Sequence, residues 1–396
     1  MATYELWLTD DSARRLLLLK DISFLNYTRT VSRLGVLQFG LPLDFIRNRI
    51  NPFFVPDWRV EVWRSPANGI PLRREDVFML RKPNVYTRQD SVVMIQFYGR
   101  NGIDLLNRRS VIQRPGTSYT SKTATADNIM KAIVREQMLY GSALDENGTV
   151  DNTRAWPQNE FRVQADLSLG PSLSRTFADR NVYDILKDLQ AASFQYNMVS
   201  ATNKKIYFDV VPVDISGSVT AYTSPLGWEF RTYAGTFGTD RTTGVEFSME
   251  NENIADPSYA LNRLDEVTSV IVKGNGQGAS QLVQKVPDSV RLNASRWNRI
   301  EKILSATSEA STTALTDAGN AELFKDKPVE ELNVTLVNSP GSQNAPRSLY
   351  GLDWDLGDLV RVNYAGKQFN MEITAAYVAV DENGKETVTG RNTVEQ

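Results

Sequence analysis

The chain begins and ends in short runs in which apolar and polar residues alternate, a pattern typical of half-buried strands. "RVEVWR", Arg59–Arg64, is one such run, and "SVVMIQFYG", Ser91–Gly99, is another. The first run places on one side Val60, Val62 and Arg64. Between the two runs, "SPANGIP" carries Asn68-Gly69, which is a hairpin signal. We therefore expect residues 1–113 to form a small antiparallel β-barrel or sandwich.

Two stretches in the middle of the chain carry apolar residues at helical spacing. The first follows a Ser/Thr-rich linker at Pro115-Gly116, with Thr125 as its expected N-cap and Asp127 in its first turn. Its apolar stripe consists of Ile129, Met130, Ile133 and Val134. The second helix is expected to start at a capping Asp179 and has a stripe of Val182, Ile185, Leu186 and Leu189. With the strand-like "KKIYFDVVPVD" that follows, residues 114–235 are predicted to form an α+β domain.

Residues 236–330 are predicted to combine a β-hairpin with a helical segment. "DEVTSVIVKGNGQGASQLVQKV" shows two alternating runs around a glycine-rich tip. "SRWNRIEKILSATSEASTTALTDAGNAELF" is predicted to be helical, with one side formed by Trp297, Ile300, Ile303 and Leu304. Residues 331–396 return to strands, end in a hairpin at Asn383-Gly384 and predict a second barrel. The predicted fold class is mainly β with α+β insertions: two small β-barrel domains with α+β domains between them.

Composition restricts the function more than the fold. The 396 residues are enough for two to four domains, and they include neither cysteine nor histidine. This excludes disulfides, Ser-His-Asp and Cys-His catalysis, and metal sites that need either residue. The remaining enzymatic options are a glycosidase carboxylate pair, Ser-Lys chemistry, and carboxylate-bound Mg²⁺ or Ca²⁺. The net charge of −3 gives no electrostatic reason to hold nucleic acid, and the N-terminal sequence predicts neither a signal peptide nor a membrane span.

Three aspartates in "YGLDWDLGDLVRV" are the strongest candidates for an ion site. Asp353, Asp355 and Asp358 lie within six residues of one another. Counted from Asp353, position five is Gly357, position six is Asp358 and position twelve is Tyr364, so the stretch does not fit an EF-hand. A different Ca²⁺ geometry stays open. The alternative is a turn that leads into a strand, in which Gly357 takes a positive φ and Asp358 accepts turn amides.

Other motifs are more typical of turns and surfaces. "GNGQGAS", Gly274–Ser280, has G-x-G-x-G spacing before a strand pattern, which favours a hairpin tip over a dinucleotide-binding loop. "DENG" occurs at Asp145–Gly148 and at Asp381–Gly384, and both are expected to form type I′ turns. Three basic pairs are interpreted as solvated edge positions: Arg73-Arg74, Arg81-Lys82 and Arg108-Arg109. The sequence singles out no pair of carboxylates that would face each other across a cleft.

Taken in order, four stretches resemble the tail hub proteins of long-tailed bacteriophages, also called baseplate hub or tail-associated proteins. They are "VEVWR" through "DVFMLRK" with "YGRNGIDLLNRRSV"; the helix pair "TADNIMKAIVREQM" and "RNVYDILKDLQAA"; Gly238–Ile254 with "LDEVTSVIVKGNGQG"; and "WDLGDLVRV". The resemblance covers most of the chain and depends on the order of these stretches as much as on their identity.

The resemblance implies a homotrimeric ring at the distal end of the tail tube, built from two β-barrel domains with α+β domains between them. The implied partners are the distal tail protein ring, the tape-measure protein and a tip or fibre protein, with DNA only in transit. It implies a virion structural protein at the tail tip, assembled in the host bacterial cytoplasm. We therefore expect no enzyme, no cofactor, and no catalytic or metal-binding residue. The alternatives are a distal tail or receptor-binding tip protein, and a β-rich carbohydrate-active enzyme with an Asp/Glu pair.

Overall fold

The chain forms two compact units, each with its own apolar core. The computed structural model describes residues 2–47, 57–112, 120–177, 180–199, 204–214, 226–306, 311–343 and 345–394. Unit 1 comprises Met1–Ser193, Lys204–Asp256 and Val334–Glu395. Unit 2 comprises Phe194–Asn203 and Pro257–Asn333.

Strands dominate the described residues. The first part of the chain contains β1 (Thr3–Thr9), β2 (Arg15–Leu19), β3 (Phe24–Thr30), β4 (Val36–Pro42), α1 (Leu43–Arg47), β5 (Arg59–Ser65), β6 (Arg73–Thr87), β7 (Val93–Arg100), α2 (Asp104–Asn107) and β8 (Ser110–Val111). The middle contains β9 (Thr120–Thr125), α3 (Ala126–Met138), β10 (Phe161–Val163), β11 (Ser172–Phe177), β12 (Arg180–Asn181), α4 (Val182–Val199), β13 (Ile206–Asp214) and β14 (Leu226–Ala234). The last part contains β15 (Glu246–Ser248), β16 (Ile254–Asn262), β17 (Ser269–Lys273), β18 (Val283–Pro287), α5 (Ser289–Asn293), β19 (Glu301–Ser305), α6 (Thr312–Lys325), β20 (Val329–Val337), β21 (Leu359–Tyr364), β22 (Lys367–Val380) and β23 (Glu386–Val394). A mainly β fold is therefore confirmed.

One 13-stranded sheet contains strands from both ends of the chain. Its order is β16-β20-β23-β22-β3-β4-β7-β6-β5-β1-β2, with β21 attached to β22 and β15 attached to β21. The pair β3–β22 joins the two ends, for instance through Tyr27 opposite Val378. The pairing path is open among the described residues, so the two expected barrels do not close through backbone hydrogen bonds there.

The large sheet is nevertheless strongly curled. The ring centroids of Tyr27 on β3 and Phe78 on β6 lie 6.4 Å apart, although β4 and β7 separate these strands in the sheet. Arg64 on β5 also reaches Glu386 on β23, six positions away in the strand order. Because neighbouring strands lie about 4.8 Å apart, such contacts require the sheet to bend round on itself. The inner face of this curl forms much of the core of unit 1.

The Asn-Gly hairpins at Asn68-Gly69 and Asn383-Gly384 are both present, but the DENG turns are not of type I′. A type I′ turn requires a positive φ at the asparagine as well as at the glycine. Gly69, Gly148 and Gly384 have positive φ, whereas Asn147 and Asn383 do not. In each DENG the aspartate determines the conformation. Asp145 Oδ1 accepts from the backbone N–H of Asn147 and Thr149, each at 2.8 Å, and Asp381 Oδ1 does the same two and four residues on, each at 2.9 Å. This bonding favours a type I turn with a left-handed glycine behind it.

Helices α3 and α4 cover the small sheet β10-β14-β13 in unit 1. The two predicted apolar stripes are fully buried, which confirms them. Thr125 stands at the N-cap of α3, but its side chain caps no backbone N–H. The expected cap of α4, Asp179, lies outside the described residues, as does the linker at Pro115-Gly116. The Asn181 side chain accepts the backbone N–H of Tyr183 at 2.9 Å and so gives one of the N–H groups in the first turn of α4 a hydrogen-bond partner.

In unit 2, helix α6 covers one face of the three-stranded sheet β18-β17-β19. The hairpin around Gly274–Ser280 is confirmed, because β17 and β18 are antiparallel. The predicted helix is wrong for its first part: Glu301–Ser305 is strand β19, parallel to β17, and Trp297 is exposed in the loop before it. The helical spacing extended over eight residues, but β-branched Ile300 and Ile303 suit a strand better.

Candidate functional site

The three aspartates of the C-terminal turn do not converge, because each is held by its own arginine. Asp353 accepts two hydrogen bonds from Arg347, at 2.8 and 2.9 Å. Asp358 is buried and accepts from Arg241 at 2.6 Å. It also accepts the backbone N–H of Thr239 and of Asp355, each at 2.8 Å. The expectation that Asp358 accepts turn amides is therefore confirmed.

Asp355 lies between two arginines from other strands. Its Oδ1 is 3.2 Å from Arg29 on β3, and its Oδ2 is 2.8 Å from Arg73 on β6. Burial alone would raise the pKa of Asp355, but the charges of Arg29 and Arg73 outweigh it and hold the pKa below its ordinary value. The carboxylate is therefore ionised and joins the turn to the curled sheet.

The glycine of this turn fits the predicted conformation. Gly357 has a φ of +81°, the left-handed region in which glycine carries no steric cost. A Cβ at this position would lie 2.4 Å from Cδ1 of Phe237 and 2.8 Å from the backbone N of Gly238. The turn therefore packs directly on the segment that precedes β15.

A partly buried arginine network continues from Asp355 into the sheet. Arg29 donates to the Tyr350 hydroxyl at 2.7 Å and lies 3.3 Å from Glu75, whose side chain is fully buried. Arg73, which is 39% exposed, donates to the same Glu75 at 2.8 Å. The two arginines thus neutralise Glu75 and Asp355, which is the condition under which the buried charge of Glu75 is tolerated.

A second part of this network joins strands β5 and β23 across the curl. Arg64, fully buried, forms a two-pronged ion pair with Glu386 at 2.7 and 2.8 Å and donates to the backbone oxygen of Tyr350 at 2.9 Å. Tyr4 donates to Glu386, and burial followed by the Glu386 charge raises the pKa of Tyr4 well above its ordinary value. Planar two-pronged arginine–carboxylate pairs combine strength with fixed geometry. The pair therefore fixes how β5 and β23 face each other.

A polar cavity of about 250 Å³ lies beside the network in unit 1. It is lined by Arg29, Thr30, Arg74, Glu75, Asp76, Asn101, Asp209, Val210, Val211, Pro212 and Leu356. Two of its carboxyls have few partners. Asp76 accepts its neighbour's N–H at 2.8 Å and the Asn101 amide at 3.4 Å, and Asp209 accepts the N–H of Val210 at 2.7 Å.

These two carboxyls hold protons more tightly than exposed aspartates do. Burial raises the pKa of Asp76 to about 6, against the opposing charge of Arg29. Burial and then the nearby charge of Asp76 raise the pKa of Asp209 to about 7. The cavity can therefore take up protons near neutral pH. Across the described residues no group of three or more histidine, cysteine, aspartate or glutamate side chains is arranged to hold a metal ion.

A second cleft of about 260 Å³ in unit 1 has an aromatic floor and a charged rim. Trp228 and Phe161 line the floor, and Arg59 and Arg108 line the rim. Arg59 is buried and lies 5.9 Å from the centre of the Trp228 ring; this burial lowers its pKa. Arg108 pairs with Asp57 at 2.8 Å.

The interpretation of the basic pairs as solvated edge positions is wrong for most of them. Arg73 and Arg74 lie on β6, which has a partner strand on each side. Arg74 pairs with Asp214 at 3.1 Å, and Arg108 pairs with Asp104 at 2.9 Å. Arg109 stacks at 3.8 Å on the ring of Trp156. Arg74 and Arg109 contact side chains far away in the sequence, which a local charge pattern does not reveal, whereas Asp104 lies only four residues before Arg108.

Sequence reasoning missed the main members of the network and cavity: Arg29, Arg64, Glu75, Asp76, Asp209 and Glu386. One signal was present. Arg64 continues the period-two side of Val60 and Val62, both buried, so the pattern already placed a charge toward the core. The other members carry no comparable signal, since their partners come from strands far away in the sequence.

No helix among the described residues has the length and hydropathy of a membrane span.

Comparison with known proteins identifies the fold. The structure resembles the 43 kDa tail protein of prophage MuSo2 from Shewanella oneidensis, with a TM-score of 0.53, 12% identity and 98% of each chain covered. It also resembles the tail protein from Neisseria meningitidis MC58, with a TM-score of 0.51, 9% identity, and 99% of this chain and 97% of that chain covered. The fold is therefore one found in phage and prophage tail proteins.

Sequence comparison gives the family. No curated protein sequence matches the chain. A family model does match, and it extends over residues 62–390, most of the chain. This match agrees with the resemblance to long-tailed phage tail proteins inferred from the sequence. The chain belongs to the family of Siphovirus ReqiPepy6 Gp37-like proteins.

Proposed function

We propose that the protein is the structural hub of a long-tailed phage tail tip. In this proposal three copies form a ring at the distal end of the tail tube, and the ring joins the tube to the tip and lines or closes the path by which DNA leaves. The observation that carries the proposal is a fold shared with a phage tail protein over 98% of both chains. The role is structural, so interfaces rather than a catalytic cluster perform the work.

The proposal includes partners and place. The ring contacts the distal tail protein on one side and a tip or fibre protein on the other, and the tape-measure protein and DNA pass through it. It belongs to the virion, is assembled in the host bacterial cytoplasm, and takes part in host attachment and genome ejection. The net charge of −3 supports a conduit, because a wall that binds phosphates tightly would retain the DNA.

The curl of the large sheet supports a barrel-like ring element. Arg64 on β5 and Glu386 on β23 meet across six strand positions, so a side-chain ion pair holds the curl where no backbone pairing joins these two strands. The proposal retains two barrel-like domains, residues 1–113 and 331–396. Between them lie residues 114–235 and 236–330. Pseudo-sixfold contact with a hexameric neighbour follows from two such domains in each of three copies.

The test is the number of copies in the ring. The purified chain is analysed by light scattering after size exclusion, and the virion by electron microscopy with antibody labelling. We expect three copies at the distal end of the tube. Six copies would favour a distal tail protein instead, and a monomer that never associates with tails would contradict the hub.

One structural observation favours the enzymatic alternative enough to test it. Asp76 and Asp209 line the same polar cavity, and burial raises the pKa of both carboxyls, to about 6 and about 7, into the range in which a general acid works. We expect no turnover of peptidoglycan or common polysaccharides by the wild-type protein. Robust turnover that D76N or D209N abolishes would replace the structural role with a carbohydrate-active one.

A further inference from the structure

One face of the small sheet in unit 2 is exposed, and we call it the open face. Side chains alternate across β17, β18 and β19, so those opposite α6 point to solvent. The open face carries Ile271, Lys273, Val283, Lys285, Glu301 and Ile303. Ile303 is 60% exposed and Val283 is 55% exposed. A sheet with one bare apolar face inside an otherwise well-packed fold indicates a binding surface.

Strand β19 also has a free edge. It pairs with β17 alone in the described part of the chain. The backbone of Ile300 and of Ala306 bonds toward β17, through Ile300 O and Ala306 N. Because hydrogen-bonding directions alternate along a strand, Glu301, Ile303 and Ser305 turn their N–H and C=O groups outward. These groups can receive another extended chain as an added strand.

Two loops and the short helix α5, at one end of this sheet, extend the apolar surface, and we call this end the tip. Its exposed side chains are Leu264 at 91%, Val290 on α5 at 84% and Trp297 at 87%. These three segments are tied together next to these residues. Asn298 accepts from Arg263 at 3.4 Å and donates to the backbone oxygen of Arg291 at 2.8 Å. The tip is therefore held in place although its apolar side chains are exposed.

The charges of this surface select its partner. Lys273, Lys285 and Arg296 form no ion pair with any described residue, and the Arg299 charge is balanced by Glu301 at 2.9 Å. The surface is thus apolar with an excess of positive charge, whereas the whole chain is slightly negative. A complementary partner carries acidic residues between apolar ones. Trp and Arg are also the side chains that most often dominate binding energy at protein interfaces.

We propose that the open face, the edge of β19 and the tip together form a docking site for an extended acidic segment of another protein. The segment adds to β19 as a strand. Where the added strand continues the open face, its apolar side chains lie beside Ile303, and its carboxylates reach Lys273, which lies opposite the small Ser305, and Arg296 at the tip. This inference does not depend on the proposed hub function, because it concerns residues of unit 2 alone.

The test uses a fluorescein-labelled nonapeptide, VVEEVVEEV, with fluorescence anisotropy as the readout, because paired valines and paired glutamates place both kinds of side chain on each face of an extended strand. We expect it to bind wild-type protein, and the analogue in which lysine replaces glutamate to bind at least tenfold more weakly. I303E and K273E are expected to weaken binding at least tenfold. The matched controls K325E, on the outer side of α6, and V150E, on unit 1, are expected to change it less than twofold.

Amide hydrogen exchange tests the strand addition itself. Bound peptide is expected to slow exchange at the outward amides of Glu301, Ile303 and Ser305. Equal binding of the lysine peptide, equal losses in K325E and I303E, or absence of binding at millimolar peptide would overturn the proposal. Binding to anionic lipid vesicles that W297A abolishes, without binding of the peptide, would assign the surface to a membrane instead. Concentration-dependent self-association that W297A abolishes would assign it to a second copy of the chain.

Discussion

Asp209 is a residue whose ionisation should affect folding stability between acidic and neutral pH. Its pKa is about 7 in the folded protein against an ordinary value of 3.8, because burial and the charge of Asp76 disfavour the carboxylate, despite Arg29 and Arg231. The folded state therefore binds the proton more tightly than the unfolded chain. The stabilisation is complete below pH 4 and is lost as the pH rises to about 7. Burial also raises the pKa of Asp76, to about 6, so its protonated form adds stabilisation that is lost as the pH rises to about 6.

We predict that D209N flattens this pH dependence and stabilises unit 1 above pH 7. Each pKa unit corresponds to about 1.4 kcal/mol, so an increase of about 1–3 kcal/mol in the free energy of unfolding at pH 8 is expected after relaxation of the site. Urea unfolding at pH 5 and pH 8 measures it. The exposed E382Q is the control and should follow the wild-type curve. A D209N curve parallel to that of wild type would contradict the prediction.

Gly357 offers a second test at the scale of one residue. G357A places a Cβ 2.4 Å from Phe237 in a backbone conformation with φ of +81°, so both a clash and strain are expected. We predict a loss of about 2–4 kcal/mol in the free energy of unfolding.

The matched control for G357A is G366A. Gly366 also has a positive φ, +73°, but an added Cβ meets no atom within 4 Å. G366A therefore tests the backbone strain without a steric clash and should lower the free energy of unfolding by about 1 kcal/mol. Equal losses in the two variants would show that the contact with Phe237 does not matter.

At this scale the sequence predicted what depends on near neighbours. Gly357 takes the expected positive φ, and Asp358 accepts the turn amide of Asp355; both roles lie within the turn itself. The DENG turns were predicted with the wrong type because the Asn-Gly pair was given more weight than the aspartate two residues before it. The arginines that hold Asp353, Asp355 and Asp358 could not be paired in advance. Three of those four arginines lie more than a hundred residues away in the sequence, and Arg347 alone is local.

At the scale of elements, helix α3 contains a buried ion pair in its first turn, where the sequence indicated only an acid that complements the helix dipole. Asp127 accepts from Lys131 at 3.0 Å, and both side chains are buried. Asp127 also accepts the N–H of Leu167 and of Leu169, each at 3.1 Å. The helix is thereby fastened to the segment before β11, and its stability depends on a charge that would be costly to leave alone.

We predict that K131M destabilises unit 1 by about 3–5 kcal/mol, because Asp127 keeps its buried charge without its partner. K187M on α4 removes an exposed lysine that lies 3.3 Å from Asp184 and should cost less than about 1 kcal/mol. Denaturant midpoints of the two variants give the comparison. A small effect of K131M would mean that the two backbone N–H groups suffice to hold Asp127.

Apolar stripes at helical spacing predicted α3 and α4 correctly but failed for the segment before α6. The stripes of α3 and α4 are buried as expected. The segment Trp297–Leu304 shows helical spacing over eight residues, as many as the stripe of α4, so the length of the stripe does not separate the two. There the pairing of β19 with β17 decided the structure, and a distant strand cannot be read from local periodicity.

At the scale of the whole molecule, the decisive contacts join residues more than 300 positions apart. Val378 pairs with Tyr27, and Glu386 with Arg64. The sequence indicated strands at both ends of the chain but not that they share one sheet. Pairing over such separations is determined by the whole set of strands, since no local feature records which edges meet.

The pair Arg64–Glu386 is expected to hold the curl of the large sheet together. Arg64 is fully buried, and its guanidinium bonds at once to Glu386 on β23 and to Tyr350 beside the C-terminal turn. Replacing it by methionine leaves the Glu386 carboxylate in the interior with only Tyr4 and Asn338 as partners. We predict that R64M lowers the free energy of unfolding by about 3–5 kcal/mol. Urea unfolding measures this loss, and amide hydrogen exchange should become faster along β23 before it does along β6.

The double variant R64M/E386M separates the ion pair from the space that its side chains fill. Two apolar side chains of similar length remove both charges, so most of the stability lost in R64M is expected to return. The control is the exposed R88M: Arg88 lies 3.8 Å from Glu382 of the β22–β23 hairpin, and its replacement should leave the free energy of unfolding nearly unchanged. If the double variant is no more stable than R64M, packing rather than charge holds β5 and β23 together. If β23 keeps its wild-type exchange rates in R64M, the curl is held elsewhere, and the Arg29–Asp355–Arg73 contacts become the next to test.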